Sequence, residues 1–316
     1  MELGYALSSE EHAPAELTRN AKLAEEAGFG FGLISDHIHP WLDDQGHSAF
    51  VWSVIGAVGQ TTSSFRIGTG VTCPLIRIHP AIVAHAAATC ACLMPGRFFL
   101  GLGTGENLNE HVTGAKWPAA DERLAMLEEA VELMRKLWEG EYVTHRGEHY
   151  TVENLRIFDV PKDGIDVAIA AMQPQAAEIA GRIGDALINV APKEEIVKRF
   201  EDAGGNGKPK YGKVTVCWAK SKDEAKKTAF DAWPNALVEG SASQELPLPS
   251  DFEQLVEDRD ADELDGTLTL GPDPDEYLDR LKEYDKAGYT HAYVHQVGPD
   301  QDGFLRFARD ELLPKI

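Results

Sequence analysis

Cysteine is scarce in this chain, with four residues in 316: Cys73, Cys90, Cys92 and Cys217. That scarcity excludes a disulfide-stapled scaffold and fits a reducing cytoplasm. Cys90-Ala91-Cys92 is C-x-C rather than the C-x2-C of zinc knuckles and redox pairs, and its apolar surroundings predict two buried thiols. No stretch approaches the ~20 apolar residues a membrane span needs. Met1-Glu2-Leu3-Gly4 carries no basic region followed by an apolar run, so no signal peptide is expected. Positive charge is also short: 30 Lys and Arg stand against 52 Asp and Glu, a net −22. This argues against nucleic acid and anionic membrane partners. The acids are spread along the chain, the pattern of a halophilic protein whose surface carboxylates hold water in high salt. Self-repulsion at low ionic strength is the expected consequence. No H-E-x-x-H, helical H-x3-H or EF-hand loop offers a metal set, and no G-x-S-x-G elbow offers a nucleophilic serine.

What the chain does have is apolar material, 43% of it, arranged in alternating strand-like and helix-like runs. Strands are expected at Leu3–Leu7, Phe31–Ser35, Phe65–Thr69, Arg97–Leu102, Val167–Ala171, Ala186–Val190, Val214–Ala219 and Ala292–His295. Helices are expected between and after them, among them Pro14–Ala27 with Gly28 as its C-cap, Ala81–Leu93 and Arg123–Trp138. A hairpin is expected over Tyr142–Val152. Eight such units in one domain, 1–316, predict an α/β fold of the (β/α)8 TIM barrel type, with a doubly wound sheet as the alternative. The stretch 234–266, with Pro247, Pro249 and many acids, breaks the rhythm and reads as an acidic insertion near the active-site mouth.

In a parallel barrel the residues just beyond each strand form the catalytic face. After the second strand come Asp36, His37, His39, Pro40 and Trp41, a carboxylate, two imidazoles and an indole together. An imidazole titrates near neutrality, so His37 is a candidate base for a substrate hydroxyl, with Trp41 as an apolar wall. After the fourth strand comes Gly101-Leu102-Gly103-Thr104-Gly105-Glu106. Its spacing is not G-x-G-x-x-G, and Glu106 would repel a phosphate, so close backbone approach to a flat cofactor ring is the better reading. Gly70 and Val71 follow the third strand, where glycine permits an unusual backbone. Glu10 and Glu11 follow the first, and either could share a proton with His37.

Taken together, Ser35-Asp36-His37, Pro40-Trp41, His79-Pro80-Ala81-Ile82, Met94-Pro95-Gly96-Arg97, Gly103-Thr104-Gly105-Glu106, Asn109-Glu110 and Trp117-Pro118 resemble the luciferase-like superfamily. Within it they look most like the coenzyme F420-dependent dehydrogenases acting on glucose 6-phosphate and on secondary alcohols. The resemblance covers nearly the full length. It implies F420 at the barrel mouth, with FMN as the alternative cofactor and an FMN-dependent monooxygenase as the alternative activity. It implies cofactor contacts from Asp36, Thr104, Gly105, Glu106 and Asn109, and a non-proline cis peptide at Gly70-Val71. His37 would take the hydroxyl proton as the carbinol carbon gives hydride, with Trp41, Glu106 and Glu10 relaying protons or stabilising charge. Trp41, His39 and Lys193 would meet the substrate. The sugar-phosphate enzymes grip phosphate with two lysines and an arginine. Lys193 stands for the first lysine, Thr267 falls where the arginine is expected, and 234–266 offers no secure second lysine. A dianion needs more than one cation, so an alcohol is favoured over a sugar phosphate. A cytoplasmic homodimer is expected.

Overall fold

The computed structural model describes residues 1–316 except 239 and 241. Eleven named strands occur among the described residues. They are β1 (Glu2–Leu7), β2 (Phe31–Ile34), β3 (Arg66–Thr69), β4 (Phe98–Leu102), β5 (Val143–Arg146), β6 (Thr151–Leu155), β7 (Val167–Ala170), β8 (Ala186–Asn189), β9 (Lys210–Cys217), β10 (Thr269–Leu270) and β11 (His291–Gln296). The chain of parallel pairings runs β9-β11-β1-β2-β3-β4-β7-β8 and closes by β8 pairing with β9. This is an eight-stranded parallel barrel wrapped by helices, the (β/α)8 fold. β10 adds a short ninth strand beside β9, and β5 and β6 form the separate hairpin.

The expected elements recur within a few residues of their sequence bounds. Helix Pro14–Ala27 starts with proline at its first position and ends at Gly28, whose φ of 108° lets its N–H reach the carbonyls of Ala24 and Glu25. One boundary differs in a way that matters. β9 begins at Lys210, four residues before the expected Val214, because its pairing with β8 starts at Lys210 and with β11 at Tyr211, whose ring packs inside the barrel despite its polar end. The expected pair of buried thiols is also corrected: Cys90 is buried and Cys92 is exposed. Both lie in helix Pro80–Leu93, and with ~3.6 residues per turn, positions two apart face nearly opposite ways.

The barrel interior is filled by Phe31, Leu33, Phe99, Ala168, Ala186, Ile188, Tyr211 and Tyr293, with Ala6, Val71 and Ala170 above them. Large rings sit opposite glycine: Gly68 pairs with Phe99 across β3 and β4, and a Cβ there would run into the Phe99 ring. The larger apolar layer lies outside, between the strands and helices such as Val51–Thr61, Pro80–Leu93 and Ala120–Leu137. A packed interior leaves the strand ends as the place for chemistry. None of the helices among the described residues is long and apolar enough to cross a membrane.

Candidate active site

The C-terminal ends of β1, β2, β3 and β4 bring together groups up to about 100 residues apart in sequence. His37 lies just past β2 and is 9% exposed. Its Nδ1 is 3.1 Å from the carbonyl of His39. A carbonyl only accepts, so Nδ1 carries a hydrogen and Nε2 is the nitrogen that can take up or release a proton. Nε2 lies 3.4 Å from Glu10 Oε1 and 3.5 Å from Glu106 Oε2, one carboxylate from the β1 end and one from the β4 end. A proton arriving at Nε2 is therefore met by two acceptors. Trp41 covers the same ring, its centroid 5.0 Å away.

Each carboxylate is held from behind. Glu10 is buried, and its Oε2 accepts from the hydroxyls of Ser8 at 3.0 Å and Ser35 at 2.6 Å. Burial works against its ionisation, but His37, the Ser35 hydroxyl and Lys213 outweigh it and keep its carboxyl below the usual range. Glu106 is half-exposed, and Asn109 Nδ2 donates to its Oε2 at 3.1 Å. The Oδ1 of the same Asn109 accepts from the backbone N–H groups of Ile38 at 2.9 Å and His39 at 3.3 Å. One buried amide thus fixes the turn carrying His37 relative to Glu106. His39 turns away, its Nδ1 on the Leu108 carbonyl at 3.1 Å.

Asp36 lies beneath this group, 3% exposed. Its Oδ2 accepts from Thr72 at 2.7 Å and its Oδ1 pairs with Arg77 at 2.9 Å. Arg77 also pairs with the buried Glu110 at 3.3 Å. Past the ends of β3 and β4, the strands that follow β2 in the barrel, lie half-exposed residues: Gly70, Val71, Thr104 and Gly105. The Gly70–Val71 peptide is cis. None of these four residues carries a bulky side chain, which suits a flat ring system.

Glu11 is corrected. It does not share a proton with His37. Its Oε2 accepts from His295 Nε2 at 2.7 Å and its Oε1 from the Gly298 N–H at 2.9 Å. His295, at the end of β11, is held toward its neutral form by burial and by Lys213, against the pull of Glu11. Lys193 is exposed at the head of helix Glu194–Phe200, with no side-chain hydrogen bond or ion pair among the described residues. Lys213, His295, Trp233 and Arg77 were not singled out from sequence. A histidine ending the eighth strand was the available signal for His295; nothing local marked Lys213.

Of the expected insertion 234–266, residues 239 and 241 lie outside the described residues; several of the others pack on the loops at the mouth. Phe252 meets Trp41 edge-on with centroids 5.2 Å apart, and Glu253 accepts from the Asp43 N–H at 3.1 Å. Glu245 accepts from Trp117 at 3.0 Å and Arg123 at 3.1 Å, and Asn107 donates to its carbonyl at 2.9 Å. Two hollows, of about 350 and 740 Å³, lie elsewhere: one between Arg66 and Asp166, the other between Glu129 and Arg182.

Residues 1–291 match the luciferase-like monooxygenase family. The chain is 34% identical to the F420-dependent glucose-6-phosphate dehydrogenase of Microbacterium testaceum (strain StLB037), over 100% of this chain and 97% of that protein. It is 37% identical to F420-dependent glucose-6-phosphate dehydrogenase 2 of Rhodococcus jostii (strain RHA1), over 100% and 98%. Among solved structures, an F420-dependent secondary alcohol dehydrogenase in complex with an F420-acetone adduct superposes with a TM-score of 0.91 at 28% identity, covering 99% of this chain and 98% of that one.

Proposed function

The chain belongs to the luciferase-like monooxygenase family, and from that premise we propose that it is an F420-dependent dehydrogenase of alcohols. The observation that carries this reading is an imidazole whose Nε2 lies between two carboxylates, at the barrel end where small half-exposed residues suit a flat ring. The relatives and the secondary alcohol dehydrogenase, all named for F420, support the cofactor.

The residues fit that group. Gly70, Val71, Thr104 and Gly105 would carry the ring, with Glu106 and Asn109 at its edge. Asp36 would support it from below, since its carboxylate is already taken by Thr72 and Arg77. When bound, the deazaflavin supplies a two-electron hydride acceptor at C5 and reacts little with oxygen. The protein supplies the proton chemistry. His37 Nε2 accepts the substrate hydroxyl proton, and Glu10 and Glu106 stabilise the imidazolium that results. Ser8, Ser35 and Asn109 hold those carboxylates so that no reorganisation is needed at the moment of transfer. Trp41, backed by Phe252, would close an apolar side of the mouth.

Glucose 6-phosphate is the second substrate reading, favoured by the names of the relatives. Lys193, exposed past the β8 end and unpaired among the described residues, would be its first phosphate contact. The test is direct. Purified protein is mixed with F420 and either 2-propanol or glucose 6-phosphate, and the oxidised-cofactor absorbance is followed. Bleaching with one substrate decides between them. No bleaching, together with oxygen uptake in the presence of reduced FMN, would replace this proposal with the monooxygenase.

A further inference from the structure

Lys213 is a cation in the mouth that the chemistry above leaves unused. Strand residues alternate between faces. A Cβ on Gly212 would run into Tyr284, one of the residues of the outer layer, so Gly212 faces out. Tyr211 lies inside the barrel, its ring stacked on Phe99 with centroids 5.4 Å apart. Lys213 therefore shares the interior face, and its side chain climbs toward the strand ends. There Nζ stands 5.4 Å from the Trp233 ring, which in turn packs edge-on against His295 at 4.6 Å.

The surroundings of that ammonium are acidic: Glu10, Glu11 and Glu106 all act on it. Glu10 and Glu106 are the two carboxylates on His37 Nε2, so Lys213 looks onto the same small volume as the candidate base. Burial outweighs the three carboxylates and sets its pKa below the ordinary lysine value. Among the described residues Nζ makes no hydrogen bond and no ion pair. Lys213 is half-buried, and the three donors of its ammonium have no protein acceptor to give up before meeting a ligand oxygen.

Resting on the hydride-transfer reading above, we propose that Lys213 is a specificity-determining residue whose Nζ donates to an oxygen carried on the carbon next to the carbinol carbon. The oxygen belongs to a hydroxyl or a carboxylate. One ammonium facing three carboxylates leaves this side of the mouth negative, which disfavours a dianionic phosphate there. The site thus selects a vicinally oxygenated alcohol over a plain secondary alcohol.

Three substrates share one methyl carbinol and differ in a single substituent: 2-propanol, 1,2-propanediol and lactate. Lys213→Met keeps the length of the side chain over Trp233 and removes the donors; Lys213→Arg returns charge and donors. With F420 present, the ratio of kcat/KM for the diol or lactate to that for 2-propanol is expected to fall about 10- to 100-fold in Lys213→Met and to recover largely in Lys213→Arg. Preference for lactate assigns a carboxylate, and preference for the diol assigns a hydroxyl. Equal losses on all three substrates with a displaced pH profile would overturn the proposal, because Lys213 would then act through Glu10 and His37. A second measurement does not depend on turnover. Calorimetric titration of lactate and of the diol into cofactor-free protein should show binding of one of them weakened at least about 10-fold by Lys213→Met. Identical binding by both proteins overturns the contact even if F420 is reduced. Weakened binding with no F420 reduction by any alcohol sustains the contact and removes the hydride reading instead.

Discussion

The guanidinium of Arg77 lies 2.9 Å from Asp36 Oδ1 and makes that carboxylate part of the floor of the site rather than a free group. It is shared with Glu110 at 3.3 Å, and both carboxylates are buried. Removing the cation strands two buried negative charges. Arg77→Met is expected to destabilise the protein by about 3–5 kcal/mol, read as a lowered denaturant midpoint. A loss below about 1 kcal/mol would show that the carboxylates find other partners or protons at little cost.

His37 offers Nε2 as the proton acceptor because Nδ1 is committed to the His39 carbonyl. His37→Ala should lower kcat by roughly 10²- to 10⁴-fold, the usual scale for a lost general base. F420 affinity, followed by fluorescence titration, should remain within a few-fold. Unchanged turnover would remove His37 from the mechanism.

Glu106 touches both His37 and Asn109. Glu106→Gln keeps the shape and an acceptor for Asn109 but deletes one of the two charges that meet the imidazolium. The expected result is a kcat reduced about 10- to 100-fold with little change in F420 affinity. A variant that loses cofactor binding but turns over normally when saturated would contradict this.

A pH-dependent contribution to stability sits far from the mouth. Glu25 Oε1 accepts from the N–H groups of Ser63 at 2.8 Å, Ser64 at 2.6 Å and Phe65 at 3.0 Å, pinning the turn into β3. Burial opposes ionisation, but these donors and Lys22 outweigh it and hold the carboxyl well below its ordinary value of 4.5. A depressed folded-state pKa contributes stability that is complete above 4.5 and is lost as pH falls through the folded value. Wild-type urea midpoints should therefore drop on acidification below that point. Glu25→Gln should be less stable by about 1–2 kcal/mol at neutral pH and should show a shallower acid slope.

The net charge of −22 is carried on residues spread over the whole chain. If the surface is built for salt, raising KCl from about 0.05 M to about 2 M, where the Debye length falls to a few ångströms, should raise the thermal midpoint steeply at first and then level off. A midpoint that does not move with salt would mark an acidic but ordinary surface.

Local order along the chain was enough to place the barrel and its working end. Alternating apolar runs gave the strands, proline and glycine marked the ends of helix Pro14–Ala27, and the stretch Asp36–Trp41 fell just past a strand, where barrel geometry puts chemistry. Only tertiary structure decided the partnerships. Glu11 faces His295, 284 residues away, and not His37, because β11 pairs with β1 in the barrel. Adjacent residues past a strand point in different directions, so Glu10 and Glu11 could not both serve His37. Lys213 stayed hidden for a similar reason. Lys210-Tyr211-Gly212-Lys213 looks polar when read as text, yet the pleat turns Lys213 inward, and burial beside acids is a property of the closed barrel rather than of any window of sequence.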